Sequence, residues 1–301
     1  MTEARTRAPL PPALTGEEAA ALARRAGLRT LGERPPFGRY LRDLWARRSF
    51  AWTLSSAQSY AQNEGNRLGQ LWAVLNPLLL IGSYFVIFGL VLDTRGNVEN
   101  YIGFLAIGVV LFGVTSSVFV AGSKAVVGNI NLVRALHFPR AILPLSVTLR
   151  ELISGLPAFG LLLLVMIMTG ETPMPSWLLF PVAIALQLLF LLGLTLVGAR
   201  VVNASRDLGN LIPVTTRMLR YVSGVFFPVT HYGDRLGEPW GTVLVNQPFA
   251  LSLDLGRQSL LGGADHAIVP AQWLAMAGWA VGTLAVGIVV FWWDEARYGR
   301  G

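Results

Sequence analysis

Two arginines, Arg217 and Arg220, stand three residues apart inside a largely apolar run, 211–229. At helical spacing they share a face, with Cβ atoms roughly 5–6 Å apart. In a helix starting at Leu211 they lie roughly 9 and 13 Å along the axis. An arginine at mid-bilayer costs about 2.5–3.5 kcal/mol on insertion scales. Two like charges there call for an anion, a wet cavity, or snorkelling to the headgroups. Glu151 is the nearest carboxylate by depth, and a substrate phosphate is the other candidate. Aromatic residues collect toward the outer halves of the first, second and fifth apolar runs: Tyr84, Phe85, Phe88, Tyr101, Phe104, Tyr221, Phe226 and Phe227. Such residues form interface belts, and sugars also stack on aromatic faces.

Other chemistries are missing from the chain. It contains no cysteine, so thiolate metal sites, disulfides and thiol nucleophiles are excluded. His137, His231 and His266 are isolated, with no metal-ligand spacing and no nucleophile signature around them. The single lysine, Lys124, lacks the spacing of a phosphate-cradling loop. The reading is a chain with no catalytic residues, no metal and no cofactor of its own.

The second stretch of interest is 123–150, basic and free of acids, between two long apolar runs. Gly128 and Asn129 interrupt it, and Pro139 and Pro144 punctuate its second half. Ile130, Val133, Leu136 and Ala141 among polar positions suggest a short helix lying flat, suited to receiving a partner protein.

These residues need a membrane to make sense. The chain has 301 residues, 53% hydrophobic and 14% charged, against about 25% charged in soluble domains. Its net charge of +7 is concentrated in alternate loops, which speaks against nucleic acid. Six apolar runs have the length of spans, at about 71–92, 103–122, 143–168, 177–198, 211–229 and 269–293. Segment 1–70 carries eleven arginines against six acids and 123–140 carries three basic residues against none, whereas 230–268 has two arginines against four acids. The positive-inside rule then places both termini in the cytoplasm.

Before the first span, Phe37, Tyr40, Leu41, Leu44 and Trp45 fall on one helical face, with Arg39, Arg42, Asp43 and Arg47 opposite. This is the pattern of an amphipathic interface helix. Residues 1–36 read as a flexible tail, with Thr15, Glu17 and Glu18 opening a weak helical pattern, and 37–67 as the interface region. Arg150 and the adjacent Glu151 point about 100° apart and are not expected to face each other. The connection 230–265 holds runs too short to cross and too apolar to float, and reads as short helices dipping into the outer leaflet. The fold class is thus an all-α membrane protein, with a six-span domain at 68–295.

The pieces RLGQLWAVLNPLL, NLVRALHFPRAILPLS, RDLGNLIPVTTRMLRYVSGVFFPV and NQPFALSLDLGRQSLLGG together resemble the permease subunit of type-2 ABC exporters of lipid-linked polysaccharide, the O-antigen, teichoic-acid and capsule group. Within that group the chain resembles the actinobacterial exporter of the arabinogalactan precursor. The resemblance covers about 37–295, and its most specific pieces are LGQLW…NP, FPR at 138–140 and RDL…P at 206–213. The long N-terminus and NQP, where the family more often shows Asn-Pro, depart from the pattern.

The resemblance implies a homodimer in the bacterial inner membrane bound to two copies of a separate ATPase, which carries the ATP and magnesium. Residues 124–140 would be the coupling helix, with Asn131, Leu132, Val133, Arg134, His137, Phe138, Pro139 and Arg140 at the ATPase. Residues 37–48 would be the interface helix and 230–265 the gate helices. Spans one, two and five would line a channel for a glycan on a polyprenyl pyrophosphate. A drug or small-lipid ABC exporter is the alternative, and an ion-coupled transporter a more distant one, since the chain shows no internal repeat.

Overall fold

The computed structural model describes residues 15–25, 35–63, 71–92, 98–136, 138–230, 237–263, 266–295 and 298. Helix is the only regular structure among them. In order they are α1 (Gly16–Arg25), α2 (Phe37–Ala46), α3 (Arg48–Asn63) and α4 (Leu71–Tyr84), the last continued by a π-helical stretch Phe85–Val91. Then come α5 (Tyr101–Ser123), the short α6 (Ala125–Gly128) and α7 (Ile130–Ala135), and α8 (Ile142–Met168). A 3₁₀ turn, Pro175–Leu179, leads into α9 (Phe180–Ala204). The chain continues with α10 (Leu208–Val222), α11 (Trp240–Val245), α12 (Pro248–Leu260) and α13 (Pro270–Trp293).

Among the described residues, five stretches are long and apolar enough to cross a membrane: Leu71–Val91, Tyr101–Ser123, Ile142–Met168, Pro175–Ala204 and Pro270–Trp293. They coincide with five of the six apolar runs in the sequence. The exception is the run at 211–229. There the helix α10 stops at Val222 after 15 residues, Gly224 turns the chain at φ +80°, and 225–227 is bent. Glycine in a left-handed conformation just past a helix end is a common stop, and Pro228 cannot continue the ladder.

Helix α5 is the axis of the bundle. Two thirds of its most apolar stretch is buried (67%), against 11% for the α4 stretch, so α5 forms the core and α4 the flank. Apolar burial gives little drive between helices in lipid, so close packing and interhelical hydrogen bonds must hold them. Gln187 of α9 donates from Nε2 to the Leu111 carbonyl and to Thr115 Oγ1 of α5, both at 2.9 Å. Helices α9 and α13 meet backbone to backbone. A Cβ on Gly287 would lie 2.5 Å from the Gly193 carbonyl, and one on Gly193 would strike the backbone of Thr283 and Leu284.

At the end opposite the termini, Asn100 Nδ2 donates to Thr169 Oγ1 and Glu171 Oε1 at 2.9 Å, and Glu171 Oε2 accepts from the Gly262 amide at 3.0 Å. Helix α12 rises to this end from inside the bundle. Its residues are buried except Phe249 and Asp254. Phe249 meets Phe190 edge-on at 5.3 Å, and Trp279 Nε1 donates to the Asn246 carbonyl at 3.0 Å. Phe190 and Trp279 lie roughly 15 Å down their helices from that end, so α12 begins at that depth.

Three local expectations are corrected. Thr15 and Glu18 form a reciprocal capping box, the Thr15 amide donating to Glu18 Oε2 at 3.0 Å and the Glu18 amide to Thr15 Oγ1 at 3.4 Å, so the weak N-terminal pattern is a capped helix, α1. The flat helix at 124–140 is two short helices broken at Asn129, with extended chain at Leu136. Arg150 and Glu151 do meet, Arg150 Nη2 lying 2.6 Å from Glu151 Oε1. Both side chains are long enough to curl across the 100° between their Cβ directions where water is scarce.

Candidate functional sites: an arginine–aromatic patch and a polar clamp at the terminal end

The patch forms where the π-helical stretch of the first span faces the end of α10. A π-helical insertion changes which residues a helix presents, and such insertions are frequent at functional sites. Phe88 stacks on Phe226 at 4.5 Å and Tyr84 meets Phe226 edge-on at 4.9 Å. Tyr221 and Phe227 lie 5.4 and 6.3 Å from the same ring. Phe226 is buried to 1% exposure, whereas Tyr221 is 58% exposed. The cluster therefore has a closed centre and an open rim.

The two arginines take different positions. Arg220 is half-buried, donates from Nη1 to the Tyr84 hydroxyl at 3.0 Å, and holds its guanidinium 5.5 Å from the Phe112 ring. Arg217 is exposed, with Nε donating to the Pro213 carbonyl of its own helix at 3.3 Å. Glu151, the carboxylate expected nearest the pair, is engaged by Arg150 instead. Of the residues singled out for the patch, rings and the Arg220 bond thus gather Tyr84, Phe88, Arg220, Tyr221, Phe226 and Phe227. Phe85 packs beside Gly89, and Arg217 lies outside the ring cluster. Beside the patch, α10 presents Leu211, Val214, Met218 and Tyr221 to the outside, while Ile212 and Thr216 face in.

At the terminus-bearing end a buried carboxylate, Glu295, joins three elements. The Tyr40 hydroxyl of α2 donates to Oε2 at 3.3 Å, and the Arg140 amide donates to Oε1 at 3.0 Å. The Arg140 guanidinium donates to the Glu295 carbonyl. Burial pushes the Glu295 carboxyl up to about 7, against the pull of the Arg140 amide and charge and the Tyr40 hydroxyl. Beside it Arg200 Nε pairs with Asp294 Oδ2 at 3.2 Å, and Tyr298 stacks on Phe291 at 4.5 Å. The apolar face of α2 is split by this arrangement. Tyr40 is buried, Leu44 packs on the core and Phe37 meets Trp292 edge-on at 5.2 Å, but Trp45 is 72% exposed and Leu41 also reaches outward.

The same clamp divides the residues expected to meet an ATPase. Val133 and Leu132 pack into the protein, Phe138 lies edge-on to Phe50 at 5.5 Å, and Arg140 is bound to Glu295. Pro139 is half-buried beside them, and Asn131, Arg134 and Leu136 are exposed. His137 lies outside the described residues.

Glu295 escaped the sequence reading because it sits in the short terminal DEARYGRG, where nothing marks a carboxylate as buried. Arg257 escaped because α12 is covered on all sides, so its polar residues give no amphipathic signal. The one available sign was an Asp–Arg pair three apart, Asp254 and Arg257, which are 3.1 Å apart in the structure.

A family model described as ABC-2 type transporter matches residues 51–241, which take in most of α3, all of α4 to α10 and the arginine–aromatic patch. The chain is 28% identical over 196 residues to the O-antigen export system permease protein RfbA of Myxococcus xanthus, covering 65% of this chain and 75% of that protein. It is 25% identical over 201 residues to the protein of the same name from Klebsiella pneumoniae, covering 66% and 75%. To the polysialic acid transport protein KpsM of Escherichia coli it is 26% identical over 234 residues, covering 75% and 85%. The chain, whose described residues form helices and include five of membrane length, is matched over more than half its length and belongs to the ABC-2 type transporter permease family.

Proposed function

We propose that this chain is the membrane-spanning half of an ATP-driven exporter that carries a lipid-pyrophosphate-linked polysaccharide out across the bacterial inner membrane. The observation that carries the reading is the arginine–aromatic patch on the outward flank of α4 and α10. It offers ring faces for sugars and the Arg220 guanidinium for a phosphate, with Arg217 exposed on the same helix beside it, in a chain that has neither nucleotide loop nor catalytic constellation. The relatives named for O-antigen export and polysialic acid transport support the polymer class.

In this reading α10 with its bent continuation makes the sixth crossing, and both termini are cytosolic, as the basic loops favour. Helix α2 lies at the interface with Trp45 and Leu41 toward the lipid. Helices α11 and α12 form a half-crossing pair on the outer side, its backbone shielded by protein as lipid requires. The exposed apolar row of α10 faces a second copy across the path. ATP and magnesium belong to two copies of a nucleotide-binding subunit, which meets the exposed residues Asn131, Arg134 and Leu136.

The test is reconstitution of the permease with its ATPase in vesicles containing the lipid-linked glycan. ATP-dependent appearance of glycan on the far side is expected. ATP hydrolysis with no glycan movement, alongside movement of small lipids or drugs, would overturn the substrate class.

A further inference from the structure

A helix that stops at the depth of the bilayer leaves carbonyls that lipid cannot satisfy, so donors in the protein must take them. Past the last turn of α10 this is met by three side chains from outside the helix. Gln247, at the start of α12, donates from Nε2 to the Val222 carbonyl at 2.9 Å. Arg257 of α12 donates from Nη2 to the Gly224 carbonyl at 2.6 Å. Tyr101 of α5 donates its hydroxyl to the Phe226 carbonyl at 2.9 Å.

Arg257 is the centre of this arrangement. It is 2% exposed, its Nη1 lies 3.1 Å from Asp254 Oδ1, and its guanidinium sits 3.4 Å over the Phe104 ring. Helix α5 makes room for it. A Cβ on Gly108 would lie 2.8 Å from the Val225 carbonyl and 3.3 Å from Arg257 Nη2. The bend so fixed carries Phe226, the ring on which Phe88 stacks and against which Tyr84 and Tyr221 lean.

We propose that Arg257, with Tyr101, is the positioning residue of the arginine–aromatic patch: it clamps the 223–227 bend to α5 and α12 and so sets where Phe226 meets Phe88 and Tyr84. A buried charge-assisted bond is among the stronger local constraints available. A function for the clamp in export rests on the transport reading above, whereas the clamp itself does not.

The chain contains no cysteine, so a single introduced thiol reports on one place. Val225, in the bend, is fully buried, and Leu162 on α8 is fully buried in the core. In the full-length protein, Val225→Cys is expected to react slowly with a small maleimide, and roughly tenfold faster once Arg257→Met removes the charge-assisted bond to the Gly224 carbonyl, along with the Asp254 pair. Leu162→Cys should keep its rate, and Arg257→Lys should restore part of the protection. Equal protection of Val225→Cys with and without Arg257 overturns the proposal, as does a parallel rise at Leu162→Cys, which is general loosening. Should Arg257→Met not fold, Tyr101→Phe removes a single hydroxyl and must raise the Val225→Cys rate while sparing Leu162→Cys; no rise overturns the proposal. If the bend is released and glycan movement is unchanged, the clamp stands and the assignment of the patch to substrate falls.

Discussion

Replacing Glu295 by glutamine isolates the one buried carboxylate among the described residues at the terminus-bearing end. Its carboxyl is pushed from 4.5 up to about 7. Between those values the folded chain keeps a proton that the unfolded chain releases, so unfolding free energy falls as pH rises through the window. At 1.36 kcal/mol per pH unit the loss is about 3 kcal/mol. The groups facing Glu295 are Tyr40 from α2, the amide and guanidinium of Arg140, and Tyr298, with Asp294 and Arg200 beyond. Glutamine keeps an oxygen for the Arg140 amide and has no proton to exchange. Thermal unfolding of detergent-solubilised wild type and Glu295→Gln, measured in parallel from pH 4.5 to 8, should therefore show curves that diverge. The wild type loses about 3 kcal/mol relative to the variant, or roughly 6 °C at about 2 °C per kcal/mol for a chain of this size. Parallel curves would refute the burial argument.

Gly193→Leu should separate α9 from α13, because its side chain would strike the backbone of Thr283 and Leu284; thermal unfolding is expected to show a loss of at least about 1–3 kcal/mol. Gln187→Leu removes two interhelical bonds between α9 and α5, and should cost about 1 kcal/mol in the same assay. At the proposed docking surface, Leu136→Asp places a charge on an exposed residue of the coupling segment. It should lower co-purification of the ATPase about tenfold while the permease itself keeps its unfolding temperature, and unchanged co-purification would count against that surface.

The long helices are legible in the sequence because a membrane span is a matter of length and apolarity, and α5, α8, α9 and α13 meet both conditions. The amphipathic face of α2 was legible too, but not its division between Tyr40, turned into the protein, and Trp45, turned out. That division depends on Glu295 and Trp292, more than two hundred residues away, and no local pattern encodes it. The end of α10 was misplaced because apolar residues continue to Val229, while Gly224 and three distant donors fix the break. The aromatic patch was legible as residue types gathered toward the outer halves of three apolar runs. Arg220 bonding to Tyr84 rather than to Glu151 was not, since Arg150 competes for that carboxylate from the adjacent position.

The central claim is that the arginine–aromatic patch handles a phosphate-bearing glycan lipid. The measurement closest to it is ATP-driven glycan movement in vesicles by the permease–ATPase complex, comparing wild type with Arg217→Gln/Arg220→Gln. The double variant is expected to insert and to assemble with its ATPase yet to move no glycan. Normal movement by that variant would contradict it.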